Sequence, residues 1–334
     1  MKSIFLVKTA EQLGHVYGNC DFKEAGVNDL DIKQFITEEE LKKNTALYKD
    51  VEYIFSTWYM PVLTEEEIKT FFPALKCVFY AAGTCKYFAE PYLKLGVRVF
   101  TAKASNAVPV AEFTVAQILL ANKGYFRAQA YYKRGQFRLG RKYAEEHVGN
   151  YMSKIGIIGA GAVGRRVIEL LSTYKFQIYV YDPFLTKERA DELSVISVDK
   201  VQDLFEMCDV ISNHLPDIPD TLHMLDVSCF GVMKQYATFI NTGRGRQVVE
   251  KDLVKVFRKR KDLCAVLDVS RHEPAFLFSP LYQLKNVFLS PHIAGSIGQE
   301  KWRMADEMLE AYSAYKEGKT IEGEVTLDML KYMA

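Results

Sequence analysis

Three polar side chains stand just after apolar runs in the last hundred residues: Arg244 in FINTGRGRQVV, Glu273 in AVLDVSRHEP and His292 in NVFLSPHIAG. A proline directly before His292 stops its strand from continuing, which puts the histidine at a strand tip. Ligands of doubly wound sheets gather at the carboxyl ends of the strands. Taken singly, the three read as a solvated loop cation, a surface acid before a proline and a packed loop histidine. Together they are the groups that reduction of a 2-oxo acid requires. A guanidinium fork can hold the substrate carboxylate and polarise its ketone. When hydride reaches the carbonyl carbon, the oxygen gains negative charge, and a histidinium can hand it a proton near neutral pH. A carboxylate behind the imidazole fixes its orientation and stabilises its protonated form. This set calls for no metal.

A second constellation lies upstream. KIGIIGAGAVGRRVIELL carries Gly159, Gly161 and Gly164 as G-x-G-x-x-G, between an apolar strand and an amphipathic helix. In that context Gly159 makes the tight turn, Gly161 admits a pyrophosphate close to the backbone, and Gly164 lets the helix pack tightly, with free N–H groups at its start. The next strand, QIYVYDP, ends in Asp182, placed to accept from both hydroxyls of an adenosine ribose. A carboxylate there repels the additional phosphate of NADP, so NAD is the expected cofactor.

Short β-branched or aromatic runs alternate with polar helical stretches along the chain, the pattern of an α/β protein with parallel sheets. Ten such runs are legible, four before residue 104 and six after it, which predicts two doubly wound domains. One long helix is expected over Val108–Gly135, with Pro109 in its first turn. Another is expected over Gly298–Gly318. Lys plus Arg number 43 against 42 for Asp plus Glu among 334 residues, so no net field draws the chain toward nucleic acid or an anionic membrane. No stretch is expected to reach membrane-spanning length, and the N-terminus lacks a signal-peptide core. The six scattered cysteines read as reduced thiols, and a cytoplasmic location is expected.

With these motifs in their order, the sequence resembles the NAD-dependent D-isomer-specific 2-hydroxyacid dehydrogenase family over nearly its whole length. N-x-x-R-G falls on Arg244, the glutamate before proline on Glu273, and S-P-H on His292, after the glycine motif and YDP. The family's cofactor loop survives in LPDIPDTLHM as Pro216 and Thr221. The resemblance implies that Ala162, Val163, Asp182, His214, Pro216, Thr221, Thr242, Gly243 and Asp268 lie along the cofactor, Asp268 near the nicotinamide amide. Ala294 and Gly295 leave room beside the histidine. It also implies a Rossmann-type NAD domain, residues 105–297, inserted into a flavodoxin-like substrate domain of residues 1–104 and 298–334, with catalysis in a hinged cleft. Homodimers are usual in such families, and the partner is a small 2-oxo or 2-hydroxy acid.

The substrate loop departs from the family pattern. AAGTCKYFAEP keeps Gly83, but Cys85, Lys86 and Phe88 replace usual polar or acidic positions. With Ala82, Gly83 and Thr84 it remains a candidate carboxylate site, and Trp58 and Tyr59 in STWYMPV are candidates for a substrate wall. Arg271 beside Glu273 reads as a solvated loop cation. Two rivals stand: formate oxidation, against which Glu273 counts because such relatives pair the histidine with glutamine, and an NAD(H)-sensing interaction protein of the corepressor type.

Overall fold

The computed structural model describes residues 2–333. The chain divides into two compact units, Met1–Ala107 with Ser296–Ala334, and Val108–Gly295. Along the chain the strands are β1 Ser3–Leu6, β2 Phe35–Ile36, β3 Tyr53–Ser56, β4 Cys77–Tyr80, β5 Arg98–Thr101, β6 Lys154–Ile158, β7 Gln177–Tyr181, β8 Ile196–Ser197, β9 Val210–Asn213, β10 Thr238–Asn241, β11 Cys264–Leu267, β12 Val287–Leu289 and β13 Glu324–Val325. All ten runs read from the sequence are strands. The other three, β2, β8 and β13, hold two residues each at sheet edges, too short to show a period.

The first unit carries the sheet β13-β5-β4-β3-β1-β2, parallel except for β13. Alternate residues serve its two faces, as the pleat requires. Ile4, Leu6, Ile54, Val78 and Val99 enter one core, while Phe5, Phe55, Phe79 and Phe100 enter the other with Met304, Met308 and Tyr312 of the helix Glu300–Lys316. Stacked rings, Phe55 on Phe79 at 5.0 Å and Phe79 on Phe100 at 5.2 Å, run across the strands. Leu6, Ser56, Tyr80 and Thr101 share one row, so the loops after β3 and β4 leave at the same edge.

The second unit is the parallel sheet β12-β11-β10-β9-β6-β7-β8. Its strand tips are aligned: Tyr181, Ile158, Asn213, Asn241, Leu267 and Leu289 form one row. The residues that follow them, Asp182, Gly159, His214, Thr242, Asp268 and Ser290, therefore leave the sheet along one edge. Between β6 and β9 the strand order reverses, which is where such sheets take ligands.

Three expectations need correction. The helix expected over Val108–Gly135 is two, Lys103–Ala121 and Tyr125–Tyr132, parted at Gly124, whose φ of 62° breaks the helix. Pro109 consequently sits inside the first of them rather than in an opening turn. Lys103–Ala121 is, by length and composition, apolar enough to cross a membrane, contrary to expectation. Its Ala111, Val115, Ile118 and Ala121 are instead packed against Ile155, Ile157 and Val167 of the second unit. The strand before His292, β12, lies at the sheet edge: Val287 is buried, and Leu289 is 37% exposed.

Candidate active site

Strand β6 delivers its terminal residue into the glycine turn. Gly159 adopts φ 89°, and a Cβ there would lie 3.1 Å from the His214 carbonyl group. At Gly164 a Cβ would meet the Gly159 oxygen at 2.0 Å, so the helix Ala162–Leu171 closes onto the turn only with glycine. Gly161 faces open space, with nothing within 4 Å of a built Cβ. That helix has no side-chain N-cap, and the N–H groups of Ala162, Val163 and Gly164 have no acceptor among the described residues. Three unpaired donors beside an open glycine fit a pyrophosphate. Asp182 accepts from the Ala160 N–H at 2.6 Å and the Phe184 N–H at 2.8 Å, so it also holds the turn in shape, with carboxylate lone pairs to spare.

Arg165 escaped the sequence reading. Helical side chains lean toward the N-terminus, and its Nε donates to the Ala160 carbonyl at 2.8 Å, bringing a cation to the same turn. The RR pair after the third glycine was its signal.

His214 follows β9, its Nε2 3.0 Å from Ser212 Oγ and its Nδ1 3.4 Å from Thr242 Oγ1, which in turn meets Thr114 Oγ1 at 3.0 Å. Burial lowers the His214 pKa to about 3, so the ring is neutral. Thr221 closes the loop after it, its hydroxyl donating to the Pro216 carbonyl at 2.6 Å.

Beneath these loops lies an amide cluster that the sequence reading also missed. Asn213 Nδ2 donates to Asn241 Oδ1 at 3.0 Å and to Gln247 Oε1 at 2.6 Å. Gln247 Nε2 donates to the Leu215 and Pro216 carbonyls at 2.7 and 2.8 Å, and Gln247 Oε1 accepts from the Arg244 N–H at 3.1 Å. All three amides are buried. The cluster fixes the Arg244 turn, and Arg244 Nη1 donates to the Gly243 carbonyl at 2.9 Å, leaving other guanidinium N–H groups for a ligand. Gly243 is wedged against Asn213 and Gln247, where a Cβ would lie 3.0 Å from each amide. At Gly245 a Cβ would meet the Ser270 carbonyl carbon at 2.0 Å, so glycine is what lets the Arg244 turn lie on the loop that leads to Glu273.

Glu273 and His292 meet. Glu273 Oε2 and His292 Nδ1 are 2.5 Å apart, which fixes a proton on Nδ1 and leaves Nε2 without a partner among the described residues. Both side chains are in part open to solvent, His292 by 49% and Glu273 by 39%. His292 has φ 54°, a left-handed conformation that histidine tolerates better than bulkier residues. The bonds around it explain how this is held. Its N–H donates to the Asp268 carbonyl, and the Asp268 carboxylate takes Ser290 Oγ at 2.6 Å, the Ile293 N–H at 3.0 Å and the Ala294 N–H at 2.9 Å. Asp268 thus anchors the histidine loop, a role that its position in the sequence did not reveal. Gly295 faces open space beyond it.

In the first unit Ala82 is buried and Gly83 and Thr84 are half-buried. Trp58 is half-buried, and Tyr59 is exposed. Arg271 is exposed, its N–H held by Glu250 at 2.6 Å.

Residues 115–294 match the profile of a family described as D-isomer specific 2-hydroxyacid dehydrogenase, NAD binding domain. Among curated proteins, D-3-phosphoglycerate dehydrogenase of Methanocaldococcus jannaschii is 30% identical over 238 residues, 71% of this chain but 45% of that protein. Glyoxylate reductase of Korarchaeum cryptofilum is 28% identical over 285 residues, 85% of each. Among solved structures, the apo form of Rhodotorula graminis D-mandelate dehydrogenase superposes with a TM-score of 0.79 at 17% identity over 97% of each chain. A D-2-hydroxyisocaproate dehydrogenase gives 0.74 at 22% identity, over 98% of this chain and 100% of that one.

Proposed function

Since the chain belongs to the D-isomer specific 2-hydroxyacid dehydrogenase family, we propose that it interconverts a 2-oxo acid and a D-2-hydroxy acid, with NAD as the hydride carrier. The observation that carries this reading is the Glu273–His292 pair at 2.5 Å on the strand-tip edge that also bears the glycine turn and Arg244. Bound NADH supplies a hydride to the carbonyl carbon. Arg244 binds the substrate carboxylate and polarises its carbonyl with the N–H groups that Gly243 leaves free. His292 gives its Nε2 proton to the oxygen as charge develops there, and Glu273 stabilises the imidazolium through Nδ1. In the oxidative direction the same nitrogen removes the hydroxyl proton. Ala162, Val163 and Gly164 hold the pyrophosphate, and Asp182 takes the adenosine ribose.

A homodimer is part of the proposal. The second unit exposes Tyr132, Phe137 and Leu139 on neighbouring helices and Phe276, Leu277 and Phe278 in one loop, apolar surface of the kind that association covers. Light scattering of the eluted protein distinguishes two copies from one. The relatives named above, each a dehydrogenase or reductase, lend no support to the interaction-protein alternative.

The direct test is His292→Ala. Loss of a general acid costs roughly 10²–10⁴ in rate, so NADH-dependent reduction of a 2-oxo acid falls by about that factor while NADH still binds by fluorescence titration. An alanine variant with near-normal turnover sinks the assignment.

A further inference from the structure

The second unit holds a cavity of about 320 Å³ that the chemistry proposed above leaves unused. One wall is the helix Tyr125–Tyr132 with the turn that extends it, and the other is the segment from Tyr282 to Phe288, which enters β12. Arg127, Tyr131 and Arg134 follow one another at helical spacing, and the Arg134 N–H still donates to the Tyr131 carbonyl, so one face presents all three. Tyr282, Lys285 and Phe288 line the same cavity from the other wall. Three cations and three rings thus share one concavity, and no carboxylate lines it among the described residues. In the sheet β12 stands four places from β6, about 19 Å at about 4.8 Å per strand, so this is not the phosphate site of the glycine turn.

These cations lack the counter-charges that others nearby have. Arg141 on the next helix pairs with Glu145, and Arg260 takes Asp262, the residue whose carbonyl accepts from the Tyr143 hydroxyl. Arg127, Arg134 and Lys285 form no ion pair among the described residues. Arg127 is the most telling of the three. It is half-buried, its guanidinium 4.7 Å from the Tyr143 ring centre and 5.6 Å from that of Tyr131, and Nη2 donates to the Tyr131 hydroxyl at 2.9 Å. Taking a charge out of water without a counter-charge is costly, and ring faces return only part of that cost. Nor does the helix account for it, because Arg127 lies in the first turn, where the macrodipole disfavours a cation. The rings and one hydroxyl fix the guanidinium plane and leave most of its N–H donors for a ligand.

We infer that this cavity binds a small phosphate ester that carries a flat ring. Two guanidinium forks and an ammonium match the oxygens and charge of a phosphate dianion, whereas a single fork already satisfies a carboxylate. Tyr131, Tyr282 and Phe288 offer faces and edges to the ring. The volume lies at the small end of ligand sites, with room for one ring system rather than a dinucleotide. The inference does not depend on which 2-oxo acid the protein turns over.

The probe is phenyl phosphate, titrated calorimetrically into the whole protein with NADH saturating the cofactor site. It should bind with a Kd in the millimolar range or below, and roughly fivefold or more tightly than inorganic phosphate, because stacking on an aromatic face contributes at least about that factor. Benzoate, which has the ring but a single negative charge, should bind severalfold more weakly than phenyl phosphate. Arg127→Gln should weaken phenyl phosphate about tenfold, the loss of a charge-assisted hydrogen bond. That arginine also packs on Tyr143, so Arg134→Gln and Lys285→Gln, at exposed positions, are made alongside it. Each should keep the parent's melting temperature and lose affinity severalfold. No binding at millimolar phenyl phosphate overturns the inference, as does equal affinity for inorganic phosphate or for benzoate. Affinity unchanged in both Arg134→Gln and Lys285→Gln overturns it too, since the ligand would then lie elsewhere.

Discussion

Replacing Asp268 with asparagine changes one oxygen of a buried carboxylate into an NH₂ group and little else. In its better orientation the new amide keeps its oxygen toward the Ser290 hydroxyl and the Ile293 N–H, which leaves NH₂ facing the Ala294 N–H, now a donor against a donor. A hydrogen bond to a charged group contributes about 1.5–3 kcal/mol, and an unsatisfied buried donor costs about 1–3 kcal/mol. The two overlap, so about 3 kcal/mol is a fair total, a bias of roughly 150-fold against the observed loop. The loop that relaxes is the one holding His292 at φ 54°. Misplacing a catalytic group by about 1 Å costs on the order of 10²-fold, and Asp268→Asn should therefore lower kcat/KM about 100-fold when NADH consumption is followed. Ser290→Ala removes one donor and leaves the carboxylate two, so it should lose only about fivefold, the equivalent of about 1 kcal/mol. If Asp268→Asn keeps kcat/KM within about threefold of the parent, the carboxylate is not what holds the histidine. A loss in Ser290→Ala as large as that in Asp268→Asn would also refute the graded argument.

Gly245→Ala should abolish activity or soluble expression, because its Cβ would lie 2.0 Å from the Ser270 carbonyl carbon; a soluble variant with normal turnover and melting temperature would contradict this. His214 titrates at about 3 in the fold because burial disfavours its charge, and near 6.5 when unfolded. The unfolded chain thus binds the extra proton between these values, so stability is full above pH 6.5 and declines as pH falls toward 3, by at most about 1.4 kcal/mol per unit and less for a partly exposed ring. Urea titrations at pH 7.5 and 5 should show a smaller drop in His214→Gln, and an identical drop would refute this. Asp182→Ser should raise the KM for NADH and narrow the preference over NADPH, as steady-state kinetics will show; an unchanged ratio removes Asp182 from cofactor choice.

Much of this was legible in the sequence, for physical reasons. Buried parallel strands are nearly continuous apolar runs, and all ten such runs were strands, whereas the two-residue edges β2, β8 and β13 carry no pattern. The helix after Val108 was misjudged because apolar spacing runs on through Gly124, and one glycine in a helical pattern is no sure stop. Arg244, Glu273 and His292 could be found because their side chains are chemically distinctive at strand ends. Asn213, Asn241, Gln247 and the true occupation of Asp268 could not, since a buried amide or acid is informative only through its partners, and the side-chain partners that tie these residues together lie 22 to 34 residues apart.

The amide cluster also bears on how this sequence tolerates change. Each of Asn213, Asn241 and Gln247 meets donors and acceptors in one arrangement, so altering any one strands polar atoms on the others. In a saturation library all three positions would appear as intolerant as a catalytic residue, although none needs to touch a substrate. Second substitutions that restore tolerance should arise within the trio itself, which makes it a unit of inheritance rather than three independent sites.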